Sequence, residues 1–163
     1  MWRERLETLF DAHHERLYRL ARRLSRDPEE ARDLVQDAFL RAARRPASIP
    51  MPASEAEAWL VRVVINLCRD RQRRILVRRR KTPQPQSSAG GPDPETAAVA
   101  RTTVQAALAR LSPRRRAVVV LHELEDQPVR RVAETLGLAQ VTVRWHLSAA
   151  KKELARLLEP VGL

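Results

Sequence analysis

Few residues of this 163-residue chain have side chains able to make or break bonds: four histidines, one cysteine and scattered carboxylates. His13, His14, His122 and His146 share no metal-ligating spacing with Cys68. No glycine-rich phosphate loop and no G-x-S-x-G elbow occurs among the four glycines. A single cysteine excludes an internal disulfide framework and a cysteine-only zinc cluster. Asp33 and Asp37 lie one helical turn apart, with no third ligand. A carboxylate pair so placed is a solvated face or a docking surface. The sequence therefore predicts no catalytic residues, no metal, no cofactor and no small-molecule substrate: the chain is not expected to be an enzyme.

The basic residues say more. Lysine and arginine number 31 against 20 acids, for a formal charge of +11, and all but Lys81, Lys151 and Lys152 are arginine. Such an excess points to a polyanion, nucleic acid before an acidic membrane. It is concentrated: between Arg69 and Lys81, eight basic residues accompany one acid, Asp70.

The elements that must position these residues read as helices. Glycine is scarce, and alanine, leucine, arginine and glutamate are abundant. A first helix is predicted from about Arg3 to Leu24, with Leu6, Leu9, Phe10, Leu17, Leu20, Ala21 and Leu24 on one stripe. A second opens at Asp27-Pro28-Glu29-Glu30, where aspartate can cap, proline fits the first turn and the glutamates suit the positive end of the dipole. It runs to about Arg45 on Ala31, Leu34, Val35, Ala38, Phe39 and Ala42. After a proline-bearing loop from Pro46 to Ala53, Ser54 and Glu57 read as a capping box for a third helix. That helix carries Trp59, Leu60, Val63, Val64, Leu67 and Cys68 into the arginine tract. Residues 82–93, TPQPQSSAGGPD, have no apolar periodicity and read as a flexible linker. Four shorter helices are predicted beyond it: Asp93-Pro94 to Leu111, Ser112-Pro113 to Glu125, Pro128 to Leu136, and Ala139 or Gln140 to Leu158. The fold class is thus all-α: two small helical domains, 1–81 and 94–163, joined by the linker 82–93.

The last two helices have helix-turn-helix spacing. Val132, Ala133 and Leu136 pack the first, Gly137 takes the left-handed turn, and Leu138 fills the gap. Val143, Leu147, Ala150 and Leu154 form the buried stripe of the second. Its opposite face holds Arg144, Trp145, Ser148, Ala149 and Lys152, which could lie in a major groove. Trp145 either meets a thymine methyl or a sugar there, or packs on a neighbouring element.

With these residues in place the chain resembles the compact extracytoplasmic-function group of the sigma-70 family, the sigma factors of bacterial RNA polymerase. LYRLARRLSRDPEEARDLVQDAFLRAARR and EAWLVRVVINLCRDRQRR are similar to the family's region 2. LARLSPRRRAVVVLHELEDQPVRRVAETLGLAQVTVRWHLSAAKKEL is similar to its region 4. The resemblance spans about residues 5 to 158, and two motifs in the right order across a linker are more specific than a lone helix-turn-helix.

The resemblance implies an all-α alternative sigma factor that binds core RNA polymerase, directs it to particular promoters and assists melting. It implies a region 2 three-helix bundle over 1–81 and a region 4 helix-turn-helix over 94–163. The acidic helix of region 2 docks on polymerase, which assigns Asp33, Leu34, Val35, Gln36, Asp37 and Phe39 to that contact. The first two aspartates and Gln36 are left facing outward, while Leu34, Val35 and Phe39 pack inward. The family pattern WLxRIAxNxxxD reads here as Trp59, Leu60, Arg62, Val63, Asn66 and Asp70. Trp59, Arg62, Asn66, Arg69 and Arg73 are thereby assigned to the minus-ten element and its unpaired non-template strand. Asn66 would read a base edge or brace a neighbouring backbone. Arg130, Arg131, Thr142, Arg144, Trp145, Ser148, Lys151 and Lys152 are assigned to the minus-thirty-five duplex. Ser148 and Ala149 stand where many members have a basic pair, and Arg130 and Arg131 where many have acids. An anti-sigma factor, encoded elsewhere, is a common companion of such proteins.

A stand-alone helix-turn-helix regulator acting on duplex DNA without polymerase is the other function consistent with the basic outer face. It has no need of an acidic docking helix followed by a basic strand-separating one. MWRERLETLF has neither the apolar stretch nor the cleavage site of a signal peptide, and no apolar run reaches the roughly 18 residues of a membrane span. A cytoplasmic protein without direct membrane insertion is expected.

Overall fold

The computed structural model describes residues 1–81 and 96–159. The proposed linker 82–93 and the Asp93-Pro94 helix start lie outside them. All regular elements among the described residues are helical. They are α1 (Trp2–Leu24), α2 (Pro28–Arg44), a 3₁₀ turn at Pro46–Ser48, α3 (Ala53–Lys81), α4 (Thr96–Arg110), α5 (Pro113–Val119), α6 (Val129–Leu136) and α7 (Gln140–Leu158). A π-helical turn, Val120–Leu124, extends α5.

α1, α2 and α3 pack on one another. Leu17, Leu20, Ala21, Leu34, Ala38, Leu60, Val64 and Ile65 are each at most 2% exposed between them. α2 starts as its sequence dictates: the Asp27 carboxylate accepts from the Glu30 amide at 2.8 Å, and Glu30 accepts from the Arg26 amide at 2.9 Å. α3 does not use the expected capping box. It begins at Ala53, with the Pro52 carbonyl accepting the Ala56 amide at 2.9 Å, so Ser54 lies inside the helix. The Glu57 carboxylate is drawn instead to Arg16 of α1, with His13 at 3.9 Å. A nearby guanidinium outcompetes a backbone amide for a carboxylate because both partners are charged.

In the C-terminal half, α5, α6 and α7 enclose Val118, Val120, Leu121, Val132, Val143 and Ala150, all at 0% exposure. Gly137 ends α6 at φ 65°, ψ 38°, the left-handed conformation its turn requires.

The two halves are packed together in one molecule. α1 touches α4 and α5, and α3 touches α5 and α6. At the centre is Arg116, 6% exposed. Its guanidinium donates to the carbonyls of Leu24 at 2.9 Å, Leu108 at 2.7 Å, Ala109 at 2.8 Å and Leu111 at 3.3 Å. It thereby satisfies the carbonyl ends of both α1 and α4. Leu24 O also accepts from Gln72 at 3.1 Å and from the Cys68 thiol at 3.4 Å. Burial, with Glu30 adding to it, pushes the Cys68 thiol up to about 11, so it stays protonated and able to donate. Gln105 of α4 donates to Arg22 O and, at 3.2 Å, to Ser25 O.

The π turn and the residue after it complete the junction. Gln127 N donates to Leu121 O at 3.0 Å, and Asp126 sits at φ 51°, a left-handed position that aspartate tolerates better than most side chains. This path aims Glu125 at α1, where it meets Arg23 at 2.6 Å and Arg16 at 3.5 Å.

Truncating Arg116 removes a charged donor from four buried or half-buried carbonyls; Leu24 O keeps Gln72 and Cys68, and Leu108 O keeps the Leu111 amide, while Ala109 O and Leu111 O lose the side-chain donor they have. Arg116→Ala is expected to lower unfolding free energy by about 3 kcal/mol or more. Urea denaturation measures it; a loss below about 1 kcal/mol would show that the carbonyls find other partners.

Candidate nucleic-acid and polymerase surfaces

Three surfaces emerge from the helices. The first is the outward face of α2. Asp33, Gln36 and Asp37 are exposed there, whereas Leu34, Val35 and Phe39 are buried. Leu34 is fully buried, and Val35 and Phe39, nearly so, line a surface groove with Gln36, Leu6 and Phe10. The two aspartates are not free, as their spacing alone suggested. Arg71 of α3 reaches between them, 3.8 Å from Asp33 and 3.3 Å from Asp37. Its guanidinium is set by the α2–α3 packing and keeps the two carboxylates from repelling each other.

The second surface runs along α3. Trp59, Arg62, Asn66, Arg69 and Arg73 follow spacings of three and four residues, so they form one stripe. Arg62, Asn66 and Arg73 are exposed, and Trp59 and Arg69 are half-buried. Trp59 lines a groove of about 750 Å³ with Ser48 of the 3₁₀ turn and with Arg41, Arg44 and Arg45 at the end of α2. The sequence did not single out those three arginines. Their signal was the run of basic residues in the last turn of α2, which also suits the negative end of its dipole. Beyond Arg73 the helix continues to Lys81 with Arg74, Arg78, Arg79, Arg80 and Lys81 all exposed. The groove, which Asp37 also lines, lies between the end of α2 and the first half of α3, and the exposed tract continues from it along α3.

The third surface is the helix-turn-helix. Arg130 and Arg131 are exposed on α6, and both face Glu134 at 3.6 Å. On α7, Arg144, Trp145, Ser148, Lys151 and Lys152 are exposed and Thr142 is half-buried. Lys151 pairs with Glu123 at 3.0 Å, and Arg144 donates to Gln140 at 3.5 Å. Trp145 does not pack on a neighbouring core; it stands 59% exposed. Arg115 of α5, which the sequence did not single out, lies over its ring at 5.4 Å and is held by Glu153 at 2.9 Å.

The histidines are dispersed, and among the described residues no three His, Cys, Asp or Glu side chains come together to hold a metal ion. His14 stacks on Phe10. His13 titrates below the usual histidine range, chiefly from burial and then from the Arg16 cation, since Arg16 already claims Glu57. His146 is lowered in the same way by burial and by Arg114 and Arg115.

Comparisons with known proteins match the two halves of the chain separately. The family model described as Sigma-70 region 2 matches residues 9–79, and that described as Sigma-70, region 4 matches residues 101–154. The ECF RNA polymerase sigma factor SigM of Mycobacterium tuberculosis is 38% identical over 154 residues, covering 93% of this chain and 76% of the relative. SigL of the same species is 34% identical over 161 residues, covering 97% and 91%. Among solved structures, the sigma factor RpoE of Bartonella quintana, in complex with the anti-sigma factor NepR, superposes with a TM-score of 0.71 at 24% identity, covering 98% of each chain. The extracytoplasmic function sigma factor SigJ of Mycobacterium tuberculosis gives 0.61 at 26% identity, covering 90% of this chain and 52% of that one.

Both lowered histidines bind a proton more readily in the unfolded chain than in the folded one. The stability they contribute is complete above the ordinary histidine value of about 6.5 and is lost as pH falls through it toward their folded values. The melting temperature is therefore expected to drop between pH 7 and pH 5, and His13→Gln with His146→Gln to flatten that drop. Calorimetry at several pH values checks this, and an unchanged slope in the double variant would refute it.

Proposed function

Since the chain belongs to the extracytoplasmic-function sigma factors of the sigma-70 family, we propose how its three surfaces divide the work of promoter recognition. The protein is an alternative sigma factor that directs RNA polymerase to promoters. The named relatives and both family models support that reading over a stand-alone duplex regulator.

The α2 face docks on polymerase through Asp33, Gln36 and Asp37, with Arg71 setting the two carboxylates. The α3 stripe takes the minus-ten region. Trp59 and the groove beside it receive an unstacked base, Asn66 reads a base edge, and Arg62, Arg69 and Arg73 meet phosphates. The helix-turn-helix takes the minus-thirty-five duplex through Arg130, Arg131, Thr142, Arg144, Trp145, Ser148, Lys151 and Lys152. Residues 1–81 thus serve as region 2 and 94–163 as region 4, with 82–93 as the linker. The observation that carries this division is the continuity of α3, which joins a groove with an aromatic wall to a tract of exposed arginines next to a face bearing two carboxylates. Holding the strand after it separates from its partner favours the open promoter, so melting follows from binding energy without bond chemistry by the protein. It is not an enzyme in this reading and needs no cofactor.

Among the described residues no helix is long and apolar enough to cross a membrane; the place proposed for the protein, beside the polymerase in the cytoplasm, follows from its family. The RpoE–NepR complex makes an anti-sigma factor a reasonable third partner for this chain too.

Two measurements test the assignment. Asp33→Asn with Asp37→Asn removes both carboxylate charges without adding a cation beside Arg71. Core binding is expected to weaken about tenfold, as two rim pairs of ~0.7 kcal/mol would give. Unchanged affinity in a fluorescence titration would move the docking site elsewhere. Asn66→Ala should leave the melting temperature unchanged and reduce open-complex formation at promoters matched at one minus-ten position, by roughly 1–3 kcal/mol. Permanganate footprinting over single-base promoter variants reads this. Uniform loss with a lowered melting temperature would instead assign Asn66 to the backbone.

A further inference from the structure

The outward line of α7 carries large apolar side chains that stand mostly in solvent. Val141 is 70% exposed and Trp145, one turn on, 59%. Ser148 and Lys152 continue the same line. Arg115 lies over the indole and the His146 ring meets it edge-on, yet more than half of Trp145 and of Val141 still faces water, at a cost in hydration that a partner would relieve. Cations frame them. Arg144 and Lys151 run along one edge of the helix, Lys151 paired with Glu123, while Arg115 of α5, paired with Glu153, lies over Trp145, and Arg114 is close enough to lower the pKa of the neighbouring His146. This is an apolar strip inside a basic rim, the complement of a polyanion with an apolar feature recessed between its charges.

A DNA major groove has that pattern. Phosphates line both edges, and the floor offers one apolar group, the C5-methyl of thymine. Val141 and Trp145 occupy the first half of α7, the part of a recognition helix that meets base edges. The indole is also held. The Arg115 guanidinium lies 5.4 Å from its ring centroid, and Glu153 holds that guanidinium at 2.9 Å. An aromatic group fixed in this way loses little rotamer freedom on contact.

We propose that Val141 and Trp145 read thymine methyl groups in the upstream promoter duplex, with Arg115 as a positioning residue that fixes the indole. This rests on the assignment of α6 and α7 to duplex DNA. It makes the specificity of this half apolar, where Ser148 and Ala149 supply no charge. A protein surface covering the same strip is the competing occupant, disfavoured by the cationic rim.

Holoenzyme reconstituted from the full chain and core polymerase would select from a duplex library randomised over both promoter elements. Each thymine of the enriched upstream element is then replaced singly by deoxyuridine, which pairs identically and lacks the methyl group. At least one replacement is expected to weaken the complex three- to tenfold, and Trp145→Ala to bring that factor below twofold. Trp145→Phe should keep part of it. Arg115→Gln should reduce it as well, a change that loss of a mere phosphate contact would not produce. An enriched element without thymine, one indifferent to every deoxyuridine, or a sensitivity that survives Trp145→Ala overturns the proposal. So does a Trp145→Ala defect that appears in core binding instead. No upstream enrichment at all overturns the duplex assignment itself, and the proposal with it, so the two failures are distinguishable.

Discussion

The carbonyl end of a helix cannot be buried bare, and α1 ends in the middle of this molecule. Its last residue, Leu24, is 2% exposed, and water is not available to it. Three donors from two other elements converge on that one oxygen: Gln72 and Cys68 from α3, and Arg116 from α5. Arg116 spends its remaining donors on the end of α4. The placement of α3 against α1, and of the C-terminal helices against both, follows from satisfying these carbonyls. An apolar residue of similar volume would fill the space and leave the carbonyls of Ala109 and Leu111 without this donor, which is why a buried guanidinium is tolerated here. Burial lowers its pKa from the usual arginine value, yet four carbonyl acceptors favour the charged form.

The rest of the cation excess is sorted by partner. Arginines that meet carboxylates from other helices sit at junctions: Arg16 and Arg23 on Glu125, Arg71 on Asp33 and Asp37, Arg115 on Glu153; Arg130 and Arg131 meet Glu134 within their own helix. Exposed arginines of α3 from Arg73 to Arg80 stand in solvent along the tract assigned to a nucleic-acid strand. Internal pairing of the first group fixes geometry, while the second carries the long-range field that draws a polyanion. One residue type thus builds the scaffold and the binding surface, and burial rather than charge distinguishes the roles.

Much of this was legible in the sequence where the chemistry is local. Asp27-Pro28-Glu29-Glu30 starts α2 because cap, proline and dipole act within four residues. Gly137 closes α6 because only its own backbone decides. The apolar stripes placed every helix of the helix-turn-helix, and the helical wheel placed Trp145 outside, where it is. What failed or was missed depends on residues far apart in the chain. Ser54 and Glu57 have the capping-box spacing, but Arg16, some forty positions earlier, takes the glutamate. Arg116 stands beside Arg114 and Arg115 and looks like them; only its place three and four residues before the buried Val119 and Val120 marks it as inward. The ties of Asp33 and Asp37 to Arg71 likewise appear only once α2 and α3 are packed. The π turn has no sequence signal that we recognise, though it aims Glu125 at α1.

The contacts that join the halves also set an order in time. Leu24 and Arg116 are 92 positions apart, and Arg23 and Glu125 are 102 apart. Closing a loop of that length must precede any reward from the contacts, whereas the hairpin of α1 and α2 closes over a few residues. Each half can gather its own apolar stripe first; Arg116 then has two finished helix ends to enter. Until it does, those ends keep their water. On loop-closure grounds the burial of Arg116 is expected to come after each half has gathered its own stripe, when its acceptors are already in place.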